Sequence, residues 1–395
     1  MIQIPNYVNF ILDALNKHGY EAFIVGGSVR DALRGKAPDD FDITTSAAPD
    51  EVCKVFDGVC KVILTGLKHG TVTVLSDGKP IEVTTYRTDG DYEDNRHPQS
   101  VTFVKSIDAD LARRDFTVNA MAYAPNKGLV DLYGGAQDLQ NRILRCVGVA
   151  ETRFHEDALR MLRALRFASV LQFEIEAETA TAIHENRALL NNVSAERIRT
   201  ELFKLLVGED AEKILLAYPD VFFTLFPQLQ GIYASENYTA AVHSINALEK
   251  DAVLRFAALL LPIANQHQSE CFSAVDRLKT DRKSADALKF AIQHANDALP
   301  ANTVETKLAL NRYDAAHLVF WTKLKKDTKA LSRIAAVLQS GEAYRISDLA
   351  IGGDEIAALG YKGKQIGEML NHLLNLVIEG KIENKKEALL SAIKK

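Results

Sequence analysis

The chain has 395 residues, 47% of them hydrophobic and 25% charged, with 22 Gly, 10 Pro and a formal net charge of −5. These values exclude a disordered, collagenous or repeat-only polypeptide and leave room for two to four domains of about 100–200 residues each. Mild acidity also excludes coating of nucleic acid by bulk charge, so a nucleic-acid partner must be met by a local basic face.

In chain order, Val8, Ile11, Leu12 and Leu15 recur at helical spacing and Gly19 stands where a C-cap belongs, which predicts a helix over roughly 5–18. The apolar run Ala22–Val25 then meets Gly26-Gly27-Ser28 and VRDALRG, a strand, a tight turn, a short helix and a glycine stop. Phe41–Thr44 reads as the next strand. TVTVL and IEVTTY flank Asp77-Gly78 as a hairpin, and VTFV at 101–104 reads as a further strand. Between them TDGDYEDNRHPQS, from Thr88 to Ser100, has no apolar periodicity and is expected to be a mobile loop. From about Phe154 strand signals nearly vanish, helical periodicity takes over, and Pro219, Pro227, Pro262 and Pro300 punctuate it. The fold class is therefore α+β, with boundaries near 145, 205 and 340: a mixed α/β segment 1–145, helical segments 146–205 and 206–340, and a helical tail 341–395.

No apolar run approaches the roughly 18–20 residues that span a bilayer, and MIQIPNYVNF lacks a basic segment followed by an apolar one. Four cysteines form no CxxC pair and ten histidines no HExxH set, so zinc and disulfides are disfavoured and a reducing cytoplasm fits. The oxygen ligands are more informative. In Asp40-Phe41-Asp42, at the start of a strand, residues i and i+2 face one side about 6.6 Å apart. Two carboxylates so placed suit a pair of Mg²⁺ ions, although a solvated acidic turn has the same spelling. The context favours the metal. Gly26-Gly27-Ser28 opens a helix carrying Arg30, and bare amides at a helix start bind phosphate oxygens while an arginine adds a charge-assisted fork.

The string GGSVRDALRGKAPDDFDI resembles the motif of class II tRNA nucleotidyltransferases and bacterial poly(A) polymerases, members of the polymerase-β-like nucleotidyltransferase superfamily. RRDFTVNAMAY (113–123), DLYGGAQDL (131–139), HEDALRMLRALRF (155–167) and SAERIRTELFKLL (194–206) follow in family order, so the resemblance spans the first 205 residues. SDLAIGGDEIAALGYKGKQIGEML also resembles the tail of short CCA-adding enzymes, whereas 210–340 is similar only in helical character and length. The resemblance implies a nucleotidyltransferase head at 1–145, a neck at 146–205 that recognises the nucleotide base, a body at 206–340 and a tRNA-binding tail at 341–395. It implies CTP and ATP as substrates, tRNA as acceptor and Mg²⁺ on Asp40 and Asp42. Oligomeric state stays open, a homodimer being one option.

The implied base reader can be checked against chemistry. On a helix over 155–167, Asp157 and Arg160 are an i,i+3 pair and lie side by side, with Glu156 steadying the guanidinium from i,i−4. A carboxylate accepts from the exocyclic amine of C or A and a guanidinium donates to the ring nitrogen or carbonyl, whereas U and G present carbonyl and N–H at that edge. One pair would accept CTP and ATP without a template, although a salt-bridged surface helix reads the same way. By the resemblance Gly27, Arg30, Arg114, Arg163 and Arg166 belong to the nucleotide site. At 100° per residue Arg160, Arg163 and Arg166 wind around the helix, so Arg160 is assigned to the base and the other two to phosphates or the neck. Asp115 reads equally as an orienting partner for an arginine. Glu82 reads either as a third carboxylate or as an exposed strand glutamate.

In the tail, Gly360-Tyr361-Lys362-Gly363-Lys364 suits a phosphate contact and Lys381, Lys385, Lys386, Lys394 and Lys395 lie beyond it. Yet 341–395 holds eight Lys/Arg and eight Asp/Glu, which describes an evenly charged surface equally well. The rival functions are poly(A) synthesis, CC-only or A-only addition and, from another class, a catalytically silent tRNA-binding protein. Absence of a longer basic tail speaks against the first, Arg96-His97-Pro98 in the polar stretch against the second, and the intact acidic and arginine motifs against the last.

Overall fold

The computed structural model describes residues 2–90, 101–233 and 235–393, which fall into two compact units, one ending at Pro227 and the other starting at Gln228. The first opens with α1 (Asn6–Lys17), whose Val8, Ile11, Leu12 and Leu15 are buried. At about 1.5–3 kcal/mol for each fully buried aliphatic side chain, this face holds the helix on its sheet. There follow β1 (Ala22–Val25), α2 (Gly27–Leu33), β2 (Asp42–Thr45), α3 (Pro49–Phe56), β3 (Lys61–Gly66), β4 (Thr71–Ser76), β5 (Lys79–Thr85), β6 (Arg87–Asp89), β7 (Val101–Phe103), α4 (Ile107–Ala112), β8 (Met121–Ala124), β9 (Gly128–Asp131), α5 (Gly135–Asn141) and β10 (Ile143–Leu144).

Seven strands form one mixed sheet in the order β3-β4-β5-β2-β1-β8-β9. Only β2 and β5 run parallel; the other neighbours are antiparallel. Phe23, Val25, Tyr86, Leu111, Ala122 and Ala124 pack together as its core cluster. The β4–β5 turn holds Asp77 at φ 49° and Gly78 at φ 72° with Ser76 opposite Lys79, and two positive φ values twist the chain as a two-residue hairpin requires. β6 and β7 pair separately, Thr88 opposite Thr102 and Asp89 opposite Val101. Thr88 and Asp89, expected in a loop, are thus strand, because a second run of chain lies close enough to complete their ladder. Residues 91–100 of that stretch, Arg96-His97-Pro98 included, lie outside the described residues.

The unit continues with α6 (Ala150–Glu156), α7 (Leu159–Leu171), β11 (Glu174–Ile175), α8 (Ala177–Asn186), α9 (Ala195–Leu206), α10 (Ala211–Ala217) and α11 (Pro219–Leu225), β11 pairing in parallel with β10. One expectation fails here. The helix read across 155–167 is broken: α6 ends at Glu156, Asp157 is extended at φ −140° and ψ 102°, and α7 starts at Leu159. The cause is the Asp157 side chain, whose Oδ1 accepts the Leu159 N–H at 3.1 Å. A short carboxylate that caps a following amide competes with the helical ladder and restarts it.

α12 (Pro227–Gln230) lies at the division. The second unit is helical throughout its described residues: α13 (Ser235–Ile245), α14 (Ala252–Leu260), α15 (Gln268–Arg277), α16 (Arg282–Gln293), α17 (Thr303–Arg312), α18 (Ala315–Leu324), α19 (Thr328–Ser340), α20 (Gly353–Ala358), α21 (Lys364–Ile378) and α22 (Lys386–Ile393). Asp251, Asp281, Asn302, Asp314 and Asp327 accept backbone N–H groups at the starts of α14 and α16–α19, caps of about 1 kcal/mol each. In the tail Ile351, Ile356, Leu370, Leu373 and Leu389 form a core of their own. Its lysines are largely paired: Lys381 with Glu379 at 2.6 Å, Lys385 with Glu383 at 2.7 Å and Lys386 with Glu355 at 2.9 Å. Lys394 and Lys395 lie outside the described residues.

Candidate active site

Strand register assembles the acidic end of the site. Asp42 stands opposite Val25 across β1–β2 and opposite Glu82 across β2–β5, so the glycine turn after Val25 lies at the same end of the sheet as the carboxylate. Phe41 is buried between exposed Asp40 and Asp42, the alternation of an extended chain that turns both carboxylates outward. Although Asp42 is open to solvent on one side, the protein atoms packed around its carboxyl strip part of its water and push it above its ordinary value. Glu82 and Asp40 push it further, and Arg114 only partly opposes them. At the Asp42 carboxyl the neighbouring acids Glu82 and Asp40 together outweigh Arg114.

Gly26 holds φ 70° and ψ −126°, a conformation that side chains resist. A Cβ on Gly26 would stand 3.3 Å from Arg114 Nη1, and one on Gly27 would stand 3.5 Å from Arg30 Nη2. Two guanidinium groups thus lie directly against bare backbone. The turn is pinned by the Gly26 N–H donating to Met121 O at 3.2 Å and by Ser28 Oγ donating to Val25 O at 3.0 Å.

Each arginine is held by a second residue. Arg30 donates through Nη1 to Asn119 Oδ1 at 2.7 Å and through Nη2 to Asp31 at 2.8 Å. Asn119 Nδ2 in turn donates to Asp115 Oδ1 at 3.1 Å. The other Asp115 oxygen accepts from Arg163 Nε at 3.0 Å and Nη2 at 2.5 Å. Arg114 and Arg113 both grip the fully buried Asp110, at 3.1 and 2.7 Å. Burial pushes both carboxylates up, but the arginines outweigh it: Asp110 is held below the ordinary range and Asp115, through Arg163 and the Asn119 bond, at about 2.

Asp115→Asn should therefore unfold the first unit more readily, by about 3 kcal/mol in a denaturant titration, the low end for a broken buried pair because the Arg163 side chain keeps 34% of its exposure. The sign with pH follows. The folded value of about 2 lies below the ordinary 3.8, so the stability from this ion is complete above about pH 4 and is lost as pH falls through about 2. Thermal melting should fall less steeply over that window in the variant than in the wild type. Equal slopes and equal stability would remove Asp115 from this role.

At the break between α6 and α7 the partners differ from the expected pair. Arg160, 9% exposed, turns to Glu156 and donates to Arg153 O at 3.2 Å and Arg113 O at 3.0 Å. Glu156 is shared with Arg153 at 2.5 Å. Asp157 instead pairs with Arg197 of α9, Nη2 to Oδ2 at 2.7 Å. Asp157 leaves the helix but stays at i,i+3 from Arg160, whose N–H donates to Asp157 O at 2.9 Å, while the Asp157 carboxylate is taken up by Arg197 rather than by Arg160. Of the five guanidinium hydrogens on Arg160, these bonds take three, leaving the Nε–H and one Nη2–H. Arg166 pairs with Glu201 at 2.7 Å and lies 3.8 Å over the Phe167 ring, which Arg30 and Arg163 also approach, at 5.2 and 5.5 Å. Leu159, Leu162 and Leu165 are core, as expected.

Asp110, Asn119, Arg197 and Glu201 are positioning residues that sequence reading did not single out. Asn119, Arg197 and Glu201 lie inside family motifs, but spacing does not show that residues tens of positions apart will meet; Asp110 is four residues before Arg114, and that i,i+4 spacing is the signal that points to it. Glu82, which its sequence allows as a third carboxylate or as an exposed strand residue, stands opposite Asp42 and so beside the acidic pair. Among the described residues no group of three or more His, Cys, Asp or Glu is arranged to hold a metal. Two hard carboxylates with Glu82 beside them nevertheless fit Mg²⁺, which is commonly bound by one or two carboxylates with substrate phosphates and water completing its shell.

Comparison with known proteins finds relatives along most of the chain. The family model "Poly A polymerase head domain" matches residues 22–145, "Probable RNA and SrmB-binding site of polymerase A" matches 172–231, and "tRNA nucleotidyltransferase domain 2" matches 254–393. The CCA-adding enzyme of Lactobacillus johnsonii is 36% identical over 395 residues, covering 97% of this chain and 95% of its own. That of Geobacillus thermodenitrificans is 52% identical over 205 residues, 52% of this chain and 50% of its own. Among solved structures, the Bacillus stearothermophilus CCA-adding enzyme in complex with CTP superposes with a TM-score of 0.81 at 30% identity, covering 99% of this chain and 98% of that one.

Proposed function

The chain belongs to the family of CCA-adding enzymes, tRNA nucleotidyltransferases, and from that premise we propose how its own residues carry the reaction. It adds the 3′-terminal C, C and A to tRNA from CTP and ATP, releasing pyrophosphate. The observation that carries the residue assignment is the register that sets Asp42 opposite both Val25, whose next residues are the glycine turn, and Glu82.

In this reading Gly26 and Gly27 let the triphosphate approach backbone, while Arg30 and Arg114 present guanidinium groups to its oxygens. Both arginines are already oriented, Arg30 by Asn119 and Asp31 and Arg114 by Asp110, so little side-chain freedom is lost when the nucleotide arrives. Asp157 accepts the exocyclic amine of C or A. Arg160, steadied by Glu156, offers its uncommitted N–H groups to the ring nitrogen or carbonyl. Arg163 and Arg166 hold the neck, through Asp115 and Glu201. Family chemistry is divalent-metal dependent, and Asp40 and Asp42 are the residues that would hold Mg²⁺, which when bound supplies charge neutralisation at the transferred phosphoryl group. The remaining contribution is positioning: the RNA 3′-hydroxyl and the α-phosphorus are brought into line by fixed groups.

We keep the division into head (1–145), neck (146–205), body (206–340) and tail (341–395) as part of this proposal. We also place the reaction in the cytoplasm, supported by four free cysteines. No helix among the described residues is long and apolar enough to cross a membrane. The test incubates the protein with tRNA lacking its 3′ end and each labelled nucleotide in turn. C should be incorporated on the bare end, A only after C, and U and G not at all. Addition of A to the bare end, arrest after C even with ATP present, or a long run of A would each overturn full CCA addition.

A further inference from the structure

Arg34 and Lys36 belong to the same motif as the glycine turn and Asp40-Phe41-Asp42, yet neither takes part in the site above. With Arg142 and Gln172 they line a cavity of about 270 Å³ in the first unit, walled by Leu139, Leu171 and Phe173 and by no acidic residue. The Arg34 guanidinium lies over the Phe173 ring at 5.5 Å and 3.7 Å from Asp31, a carboxylate already bonded to Arg30. Lys36 and Arg142 are exposed and have no ion-pair partner among the described residues. The acids of neighbouring segments are engaged: Glu174 with Lys213, and Asp210 as acceptor from Gln172 Nε2 at 3.4 Å.

Three helices end at this cavity, since Arg34, Arg142 and Gln172 are the C-cap residues of α2, α5 and α7. A cation beside a helix C-terminus is ordinary, but each end carries only about half a negative charge. Arg34 shares Asp31, but the charges of Lys36 and Arg142 alone exceed the roughly one and a half negative charges of three helix ends. Arg142 and Gln172 also hold φ 56° and 60°, where glycine is the common occupant of a helix end. Long polar side chains are kept there and reach the cavity instead.

An acid-free concavity with excess positive charge and two guanidinium forks suits phosphate oxygens. We propose that this cavity, none of whose lining residues belongs to the nucleotide site, holds a phosphate of the RNA backbone, a proposal that rests on tRNA being the substrate. The RNA backbone fits better than a free anion because two of the three cations are open to solvent, where a polymer can lie across them, and because a chain of net charge −5 needs a local basic patch to meet it. Such a contact positions the acceptor and carries no sequence information.

The test measures binding of tRNA lacking its CCA end by fluorescence anisotropy, from about 50 to 300 mM salt, for wild type and an Arg34→Gln, Lys36→Gln, Arg142→Gln variant. Kd should rise about tenfold and the slope of log Kobs against log salt should flatten by about one. KM for CTP should stay unchanged. The single variant Arg142→Gln, at an exposed position that leaves folding intact, should show the same change in smaller measure. A folded triple variant with unchanged Kd and slope overturns the site. Loss of inorganic pyrophosphate binding by calorimetry with tRNA binding intact also overturns it, by assigning the cavity to a free anion. Wild-type protein that fails to bind tRNA overturns the substrate reading itself.

Discussion

Asp42→Asn is expected to lower incorporation of both C and A by about three orders of magnitude or more, equivalent to about 4 kcal/mol of lost transition-state stabilisation. The substitution keeps the shape of the side chain and removes its charge. It does so at the one carboxylate that faces both Glu82 and the strand leading to the glycine turn. Because Glu82 and Asp40 together outweigh Arg114 at the Asp42 carboxyl, removing one charge relieves repulsion in the free protein, so stability should hold or rise. The affinity for tRNA should change by less than about threefold, since the long phosphate-backbone contact dominates that affinity. The measurement is single-turnover addition with each nucleotide, alongside tRNA binding and thermal melting. A well-folded Asp42→Asn protein with near-normal turnover for both nucleotides would remove the acidic pair from catalysis.

Asp157 carries the second large effect, on choice of base. A good bidentate contact contributes roughly 1–3 kcal/mol of discrimination, so Asp157→Ala should narrow the ratio of kcat/KM for CTP over UTP, and for ATP over GTP, by about 5- to 150-fold. Two changes act in the same direction: the amine of C or A loses its acceptor, and the carbonyl of U or G no longer meets a negative charge. The structure adds a complication. Asp157 also caps the Leu159 N–H and neutralises Arg197, so the alanine variant should lose about 1 kcal/mol or more of stability through the cap alone. Asp157→Asn retains a capping oxygen while offering an amide to the base, and it should relax selectivity with a smaller loss of melting temperature. If both variants keep the wild-type CTP-to-UTP ratio, Asp157 belongs to the scaffold of the α6–α7 break and the base is read elsewhere.

Local patterns were legible where local physics decides. The face Val8, Ile11, Leu12 and Leu15 announces α1, and Asp77-Gly78 announces its hairpin. The alternation of β5 shows because one of its faces is open and the other buried, while β4 announces itself by its β-branched run although both its faces are largely covered. Elements without such a pattern escaped notice. β3 is an edge strand with most side chains exposed, so nothing alternates. β8 is buried along its whole length and reads MAYA, where alanine carries little strand preference. α3 has its apolar face in a run too short to stand out. The break within 155–167 is hidden for another local reason: the apolar spacing is helical on both sides of Asp157, and periodicity does not register one capping carboxylate.

The sequence by itself determined the α+β class, the change to helix after the first third, the glycine turn with Arg30, the acidic pair and the family motifs, because each is written in the periodicity or spelling of contiguous residues. Only the tertiary structure decided which of these meet. Strand order brings Glu82 from 40 positions away to face Asp42. The packing of α9 on α7 delivers Arg197 to Asp157 and Glu201 to Arg166. The chain between β7 and β8 brings Asp115 and Asn119 to Arg163 and Arg30, whereas Asp110 holds Arg114 from only four residues away, an i,i+4 spacing legible in the sequence. The physical reason is that a buried arginine takes whichever carboxylate the fold sets within hydrogen-bond reach. That choice is made by strand order and helix packing, which spacing along the chain does not encode.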